Sequence, residues 1–205
     1  MTVATDRRMS LQEFLTYDDG TDRRYELVDG VLIEMGAEST INTWIAGFLF
    51  GVFIQMGLPS YCIGFKQKIS VCSPSVTARD PDLIIHTKDS ASAIEGRKEA
   101  CLFLDEPNSL IVVEVVSPGD ETKPNYQRDY QEKPRKYASG RRPTRGHRGI
   151  PEMWQIDPSR EWVRVGTLNA RDYQFQTFMG EETIFSPSFP SLNLMANQIL
   201  SAGRG

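Results

Sequence analysis

One β-branched segment, Leu110–Val116, constrains the fold of this chain more than any other. It reads Leu-Ile-Val-Val-Glu-Val-Val, the composition of a strand that is buried on both faces in the middle of a sheet. Glu114 lies inside this run, and burial of a lone carboxylate is costly unless the group is paired, protonated or bound to a cation. The segment therefore predicts both a central strand and a charged group that needs a partner.

A second acid repeats this pattern. Asp82 opens a short apolar strand predicted over Asp82–His86, directly after Pro81. If the two strands are neighbours and the acids share a face, the carboxylates come close together and each raises the pKa of the other. A hard divalent cation such as Mg²⁺, which takes one or two carboxylates and keeps water, would relieve this repulsion. Glu26, in the first predicted hairpin, is a third candidate acid, with an outward-facing strand position as the alternative.

The remaining patterns favour a mixed sheet in an α/β or α+β domain. Ser10–Glu13 is a capping-box pattern that begins a short helix, and Asp29-Gly30 is a strong hairpin signal. The other predicted elements are a core helix over 40–56, one strand over 62–71, a helix over 124–138 that Pro134 should kink or divide, a strand over 153–156, and a hairpin over 162–179.

Composition excludes several classes of function. The chain has 205 residues, 40% hydrophobic and 24% charged, as expected for one globular domain. Because its net charge is −4, contact with nucleic acid would need a local basic patch or a bound metal. Two histidines cannot build a three-histidine zinc site, and three cysteines without a C-x-x-C spacing indicate reduced thiols. With no apolar signal segment at the N-terminus, we expect a cytoplasmic protein without a membrane span.

A basic segment over residues 141–149 differs from the rest of the chain. It contains Arg141, Arg142, Arg145 and Arg148 and no large apolar side chain, so we expect an exposed loop. Each arginine could neutralise a phosphate of a nucleic acid and make binding depend on salt. A solvated loop without a partner is the alternative.

Several motifs, taken in order, resemble those of the Uma2-like (DUF820) family of bacterial restriction endonucleases, which belongs to the PD-(D/E)XK nuclease superfamily. The matching stretches extend from about Ser10 to Leu194 and include RYELVDG at 24–30, PDLII at 81–85, LIVVEVVSP at 110–118, RDY at 128–130 with Lys133 and Tyr137, and IPEMWQIDP at 150–158. The resemblance implies one restriction-endonuclease-like α/β domain over 1–205. Its core would be a mixed β-sheet flanked by helices, with N-terminal and C-terminal β-hairpins.

The resemblance also implies roles for individual residues. Asp82 and Glu114 would be the metal-binding acids, and Glu26 the acid from the N-terminal part. The superfamily lysine normally lies two residues after the second acid, where this chain has Val116. In this family a lysine on the following helix is thought to replace it. Lys133 matches that lysine, and Lys136 is a nearby alternative.

The chain departs from the family pattern at three places. Asn42 occupies the position of a frequent histidine near the start of the core helix, Pro134 lies beside Lys133, and the segment 141–149 resembles an insertion. The two departures beside the candidate lysine could misplace it.

The expected activity is hydrolysis of DNA phosphodiesters by an endonuclease that depends on Mg²⁺ or Mn²⁺, with Glu26, Asp82, Glu114 and Lys133 as its catalytic residues. A homodimer would suit the cutting of both strands of a duplex. Two other readings stay open. One is a catalytically degenerate nuclease fold that binds DNA or a protein partner, which the insertion and Pro134 favour. The other is a metal-dependent hydrolase of a small substrate, which the two acids fit equally well.

Overall fold

The computed structural model describes residues 2–3, 7–37, 39–71, 73–117, 120, 122, 124–138 and 148–202. Within them, the strands form two six-stranded sheets, and each sheet combines parallel and antiparallel pairs. The predicted mixed α/β architecture is confirmed, although the strands divide between two sheets where the sequence suggested one.

The first sheet is built around the predicted N-terminal hairpin. Asp29 and Gly30 have φ angles of 49° and 82°, the left-handed values of a tight two-residue hairpin turn. The strands of this sheet, in spatial order, are β1 (Thr2–Val3), β3 (Val31–Met35), β2 (Arg24–Val28), β6 (Thr77–Arg79), β5 (Lys68–Val71) and β8 (Cys101–Leu102).

The second sheet contains the β-branched run as an interior strand. Its strands, in spatial order, are β12 (Asp172–Met179), β11 (Trp162–Asn169), β10 (Glu152–Asp157), β9 (Ile111–Val115), β7 (Leu83–Ile85) and β4 (Ile63–Phe65). All five residues of β9 are buried. The predicted central strand and the C-terminal hairpin are therefore confirmed.

The described helices pack against both sheets, the first of them against the N-terminal hairpin. They are α1 (Leu11–Leu15), α2 (Thr40–Gln55), α3 (Lys88–Ile94), α4 (Pro124–Gln127), α5 (Lys133–Ala138) and α6 (Ala196–Ser201), with a π-helical segment over Arg128–Glu132 and a 3-10 turn over Ser60–Cys62. The Ser10 capping box of α1 is present. No described helix combines the length and hydrophobicity that crossing a bilayer requires.

Strand alternation sorts the buried side chains of β9 between two cores. Ile111, Val113 and Val115 pack with α2 and α6, and Phe53 of α2 lies 6.1 Å from the ring of Trp154. Val112 packs on the other side with Tyr137 of α5. Because side chains alternate along a strand, Glu114 shares the face of Val112 and points toward the helix that carries Lys133.

The strand predicted over 62–71 is the main error in the expected elements. The structure ends β4 at Phe65 and begins β5 at Lys68, and the two strands join different sheets. Lys66 between them has a φ of 50°, a left-handed value uncommon for a lysine. Every part of this segment is compatible with a strand, so its composition does not show where the strand breaks.

Candidate active site

A cavity of about 360 Å³ opens beside strands β7 and β9, and its walls include all four of the predicted catalytic side chains. Asp82 precedes β7, Glu114 lies in β9, Glu26 lies in β2, and Lys133 begins α5. Each of these side chains is at least nine-tenths buried. Residues that are up to 107 positions apart in the sequence are thus brought to one site.

Strand register brings Asp82 beside Glu114. Strands β7 and β9 are antiparallel with Leu83 opposite Val113, so the next position along the pair sets Asp82 opposite Glu114. Asp82 accepts a hydrogen bond from the Val115 backbone N–H at 2.6 Å through Oδ2, and its Oδ1 is ion-paired with Lys66. The backbone contact fixes the orientation of the Asp82 carboxylate toward β9.

Glu114 is held by two donors from the helix above it. Lys133 Nζ donates to Oε2 at 2.6 Å, and the Tyr137 hydroxyl donates to Oε1 at 2.7 Å. Burial raises the pKa of Glu114 to about 7; Lys133 opposes this shift and the nearby Asp82 charge adds to it. The sequence predicted that this buried acid needs a partner, and the structure provides two, a lysine and a tyrosine one helical turn apart.

The helix around Pro134 is widened rather than broken. Lys133 N–H bonds to the carbonyl of Arg128, five residues earlier, in the π-helical segment that precedes α5. This segment ends at Glu132, and Pro134, which lacks a backbone N–H, is accommodated as the second residue of α5. The distortion predicted at Pro134 is thus present, and it leaves Lys133 in contact with Glu114.

The two candidate lysines have different partners. Lys133 also lies 3.2 Å from Asp129 Oδ1, and although burial lowers its pKa, Asp129 and Glu114 raise it above the ordinary value. Lys136 instead pairs with Asp29 Oδ1 at 3.3 Å, at the turn of the first hairpin. Of the two, only Lys133 is among the residues that line the cavity.

Glu26 is buried and does not face outward. Arg79 Nη1 donates to its Oε2 at 2.7 Å, and the Asp80 backbone N–H donates to its Oε1 at 3.3 Å. Burial raises the pKa of Glu26, but Arg79, Lys133 and Arg128 prevail and hold it below its usual range. Its carboxylate therefore joins β2 to the segment that leads into Asp82.

The structure adds cavity residues that sequence reasoning did not single out. The charged side chains of the wall are balanced in sign: Arg24, Lys66, Arg128 and Lys133 against Glu26, Asp80, Asp82 and Glu114. Asn42, at the position where the family resemblance led us to expect histidine, donates to the Val115 carbonyl at 3.2 Å. The position of Asp80, two residues before Asp82, was a sequence signal for its place in the cavity. Lys66 and Arg24 had no such signal, because their places depend on contact between distant segments.

The potential metal-ligand atoms of the cavity suit a hard divalent cation. Asp82 and Glu114 provide carboxylate oxygens, the ligand type that Mg²⁺ prefers, and no cysteine lies among the described wall residues, where the Met35 thioether is the one sulfur. No group of three or more His, Cys, Asp or Glu ligands occurs in the described part of the chain. A cation here would therefore bind through two carboxylates and complete its shell with water or substrate oxygen.

The basic segment divides into two parts. Arg141, Arg142 and Arg145 lie outside the described residues. Arg148 is fully buried and donates from Nη1 to the Phe103 carbonyl at 2.6 Å, and burial lowers its pKa to about 10. The prediction that Arg148 is exposed is wrong, because its side chain and that of Ile150, two residues later, are both buried.

His86 does not line the cavity and is held by two polar side chains. Its ring nitrogens lie 2.6 Å from Gln67 Oε1 and 3.1 Å from Ser90 Oγ, and burial lowers its pKa to about 4. The ring is therefore buried next to the end of β7, which favours the neutral form.

Comparison with known proteins agrees with this fold. The family model Uma2, described as "Putative restriction endonuclease", matches residues 11–197. The crystal structure of "a putative nuclease belonging to DUF820" from Anabaena variabilis ATCC 29413 matches 95% of this chain and 99% of its own, with a TM-score of 0.65 and 17% identity; identity at this level supports the fold alone. No curated protein matches the sequence. Since the family model covers most of the chain, the protein belongs to the Uma2 family of restriction-endonuclease-like proteins.

Proposed function

We propose that this protein is a Mg²⁺- or Mn²⁺-dependent endonuclease that hydrolyses phosphodiester bonds of DNA, acting as a single domain in the cytoplasm. One observation carries the proposal: two carboxylates from neighbouring strands meet in a cavity where a buried lysine contacts one of them. The family and the fold are those of nucleases, which makes nucleic acid the favoured substrate.

Asp82 and Glu114 are the residues that would hold the cation. When bound, such an ion stabilises the charge that develops on the reacting phosphoryl group and acidifies a water molecule. Val115 N–H fixes the Asp82 carboxylate, and Tyr137 with Lys133 fixes that of Glu114, so the chain itself sets the spacing of the two ligands.

The cations of the cavity would bind the phosphate backbone. Lys133 holds a proton and a positive charge next to Glu114, where it can neutralise a phosphate oxygen or orient the attacking water. Arg24 and Lys66 lie on the same wall and would contact the flanking phosphates. Glu26 forms an ion pair with Arg79 in which both side chains are buried, which favours a positioning role for this acid.

Plasmid nicking at low salt tests the proposal. We expect the wild type to nick supercoiled DNA with Mg²⁺ or Mn²⁺ and not with EDTA. Glu114→Gln should lose this activity, because the amide cannot supply an anionic ligand. Glu152→Gln is the control, since Glu152 is equally buried but bonds to Trp154 and Ser186 outside the cavity. Equal cleavage by wild type and Glu114→Gln would refute the assigned site.

The same assay bears on assembly. We propose a homodimer for duplex cleavage, since two-fold symmetry presents one site to each strand. A dimer should convert supercoiled plasmid to the linear form in one encounter, whereas a monomer should accumulate nicked circles first.

The basic segment yields a prediction about salt. Replacing Arg141, Arg142 and Arg145 together with glutamine should flatten the dependence of log K on log salt by up to about 2.7, because each lost phosphate contact contributes about 0.9. The measurement is fluorescence anisotropy of a DNA duplex over a salt series in EDTA. Arg148→Met is the comparison: since Arg148 is buried, it should change stability and leave the slope as it is. An unchanged slope in the triple variant would remove the segment from the DNA interface.

A second candidate function is binding of nucleic acid without cleavage. It is favoured by the Lys66 ion pair on Asp82 and by the equal number of cations and anions on the cavity wall. The binding of Mn²⁺, followed by calorimetry, separates the two. A working site should lose Mn²⁺ affinity in Asp82→Asn, whereas a degenerate site should show the same weak affinity in both proteins.

A further inference from the structure

A second hollow adjoins the candidate active site. It has a volume of about 330 Å³ and shares part of its wall with the first cavity, namely Arg24, Asn42, Lys66 and Asp82. The rest of its wall is uncharged and consists of Thr43, Ala46 and Phe65. One molecule could therefore occupy both spaces if it carries an anionic part and a compact uncharged part.

Phe65 is the aromatic residue of this hollow. Although it ends a strand of the second sheet, 46% of its surface is exposed. Phe50 of α2 lies behind it, with ring centroids 5.4 Å apart and planes tilted by 37°. Lys66, the next residue, has the left-handed conformation that breaks the strand, and it reaches Asp82. The same turn therefore presents an aromatic ring to the hollow and an ammonium group to the metal-binding acid.

The opposite wall comes from the first turns of α2. Asn42 and Ala46 are buried there, and Thr43 lies beside them at the surface. Small and polar side chains facing an exposed aromatic ring leave a space with one flat, apolar side. Aromatic side chains in this setting bind nucleobases by stacking, which tolerates any base because every base has a π-face.

We propose that this hollow receives the base of the nucleotide next to the scissile phosphate, stacked on Phe65. The phosphate of that nucleotide would lie between the Arg24 and Lys66 side chains that both cavities share. A base inside a duplex is stacked and paired, so it can enter only from single-stranded or locally opened nucleic acid. The inference rests on the proposed nuclease function and narrows its substrate to nucleic acid that is unpaired at the cut.

The proposal predicts a specific loss of affinity in Phe65→Ala. For a single-stranded 12-nucleotide DNA in EDTA, we expect binding to weaken roughly 5- to 100-fold, the range for loss of one base–aromatic stack. Phe65→Trp should retain affinity. Phe185→Ala is the matched control, since Phe185 is 55% exposed and lines neither cavity.

A double-mutant cycle separates stacking from a general loss of packing. One abasic nucleotide is moved along the oligonucleotide, and its effect is measured with wild type and with Phe65→Ala. At one position, the missing base should weaken binding to wild type but not to Phe65→Ala, because the alanine variant has no ring on which that base could stack. The thermal midpoint of each variant shows whether the fold is retained.

The outcomes distinguish this inference from the proposed function. If wild type cleaves DNA but Phe65→Ala binds every oligonucleotide as wild type does, the base site is refuted and the nuclease function stands. The base site is also refuted if every abasic position has the same effect in both proteins. If wild type neither binds nor cleaves nucleic acid, the proposed function fails and this inference fails with it.

Discussion

Replacing Lys133 with methionine is expected to lower plasmid cleavage by about 10²–10³-fold, the loss typical of removing one preorganised donor at a reacting centre. Methionine keeps much of the length of the side chain and removes its charge. Lys133 contacts Glu114 at 2.6 Å and lines the cavity, so its ammonium group lies where a phosphate would bind. The measurement is the rate of nicking at saturating Mg²⁺.

Lys136→Met is the matched control. Lys136 is on the same short helix and pairs with Asp29 at the hairpin turn, outside the cavity wall, so we expect its cleavage rate to stay close to that of wild type. Mn²⁺ affinity and the thermal midpoint, measured for both variants, show whether Lys133→Met still folds and binds metal. Equal rates in the two variants would show that Lys133 has no part in the reaction.

The second large effect concerns stability. Glu26 and Arg79 form an ion pair in which both side chains are only 1% exposed. Removing one partner of such a pair leaves an uncompensated buried charge, which costs about 3–5 kcal/mol. We expect Glu26→Gln and Arg79→Met each to lower the free energy of unfolding by that amount in urea titrations. The double variant should lose much less than the sum, because no charge is then left alone.

An exposed pair in the same hairpin provides the control. Arg23 and Glu34 lie 3.2 Å apart with side chains 59% and 31% exposed, so Arg23→Met should cost less than about 1 kcal/mol. Additive losses in the Glu26 and Arg79 variants would contradict the proposed coupling. If the coupling is strong, a loss of activity in Glu26→Gln results at least in part from lower stability of the first sheet beside the active site.

Local patterns predicted many of the elements. The capping box at Ser10 and the left-handed turn at Asp29-Gly30 depend on contacts within a few residues, and both are present. The run 110–116 was identified as a buried strand because β-branched residues suit a surface packed on both sides. Glu114 stood out for the same reason, since a charge in such a strand requires an explanation.

Long-range contacts explain the errors. The segment 62–71 was predicted as one strand, yet its halves pair with different sheets, and only this division brings Lys66 to Asp82. Arg148 was assigned to an exposed loop on composition alone, although it packs against the Phe103 carbonyl. In both cases the deciding partner is more than 15 residues away in the sequence.

The sequence by itself determined the class of fold, the two strands that carry or follow the acids Asp82 and Glu114 and, through the family resemblance, the lysine of the following helix. Only the tertiary structure decided that Asp82 lies opposite Glu114, that Lys133 rather than Lys136 contacts Glu114, and that Glu26 is held by Arg79. The physical reason is the range of the interactions. Side-chain alternation and turn conformation are set by neighbouring residues, whereas strand register and the pairing of buried charges are set when distant segments pack together.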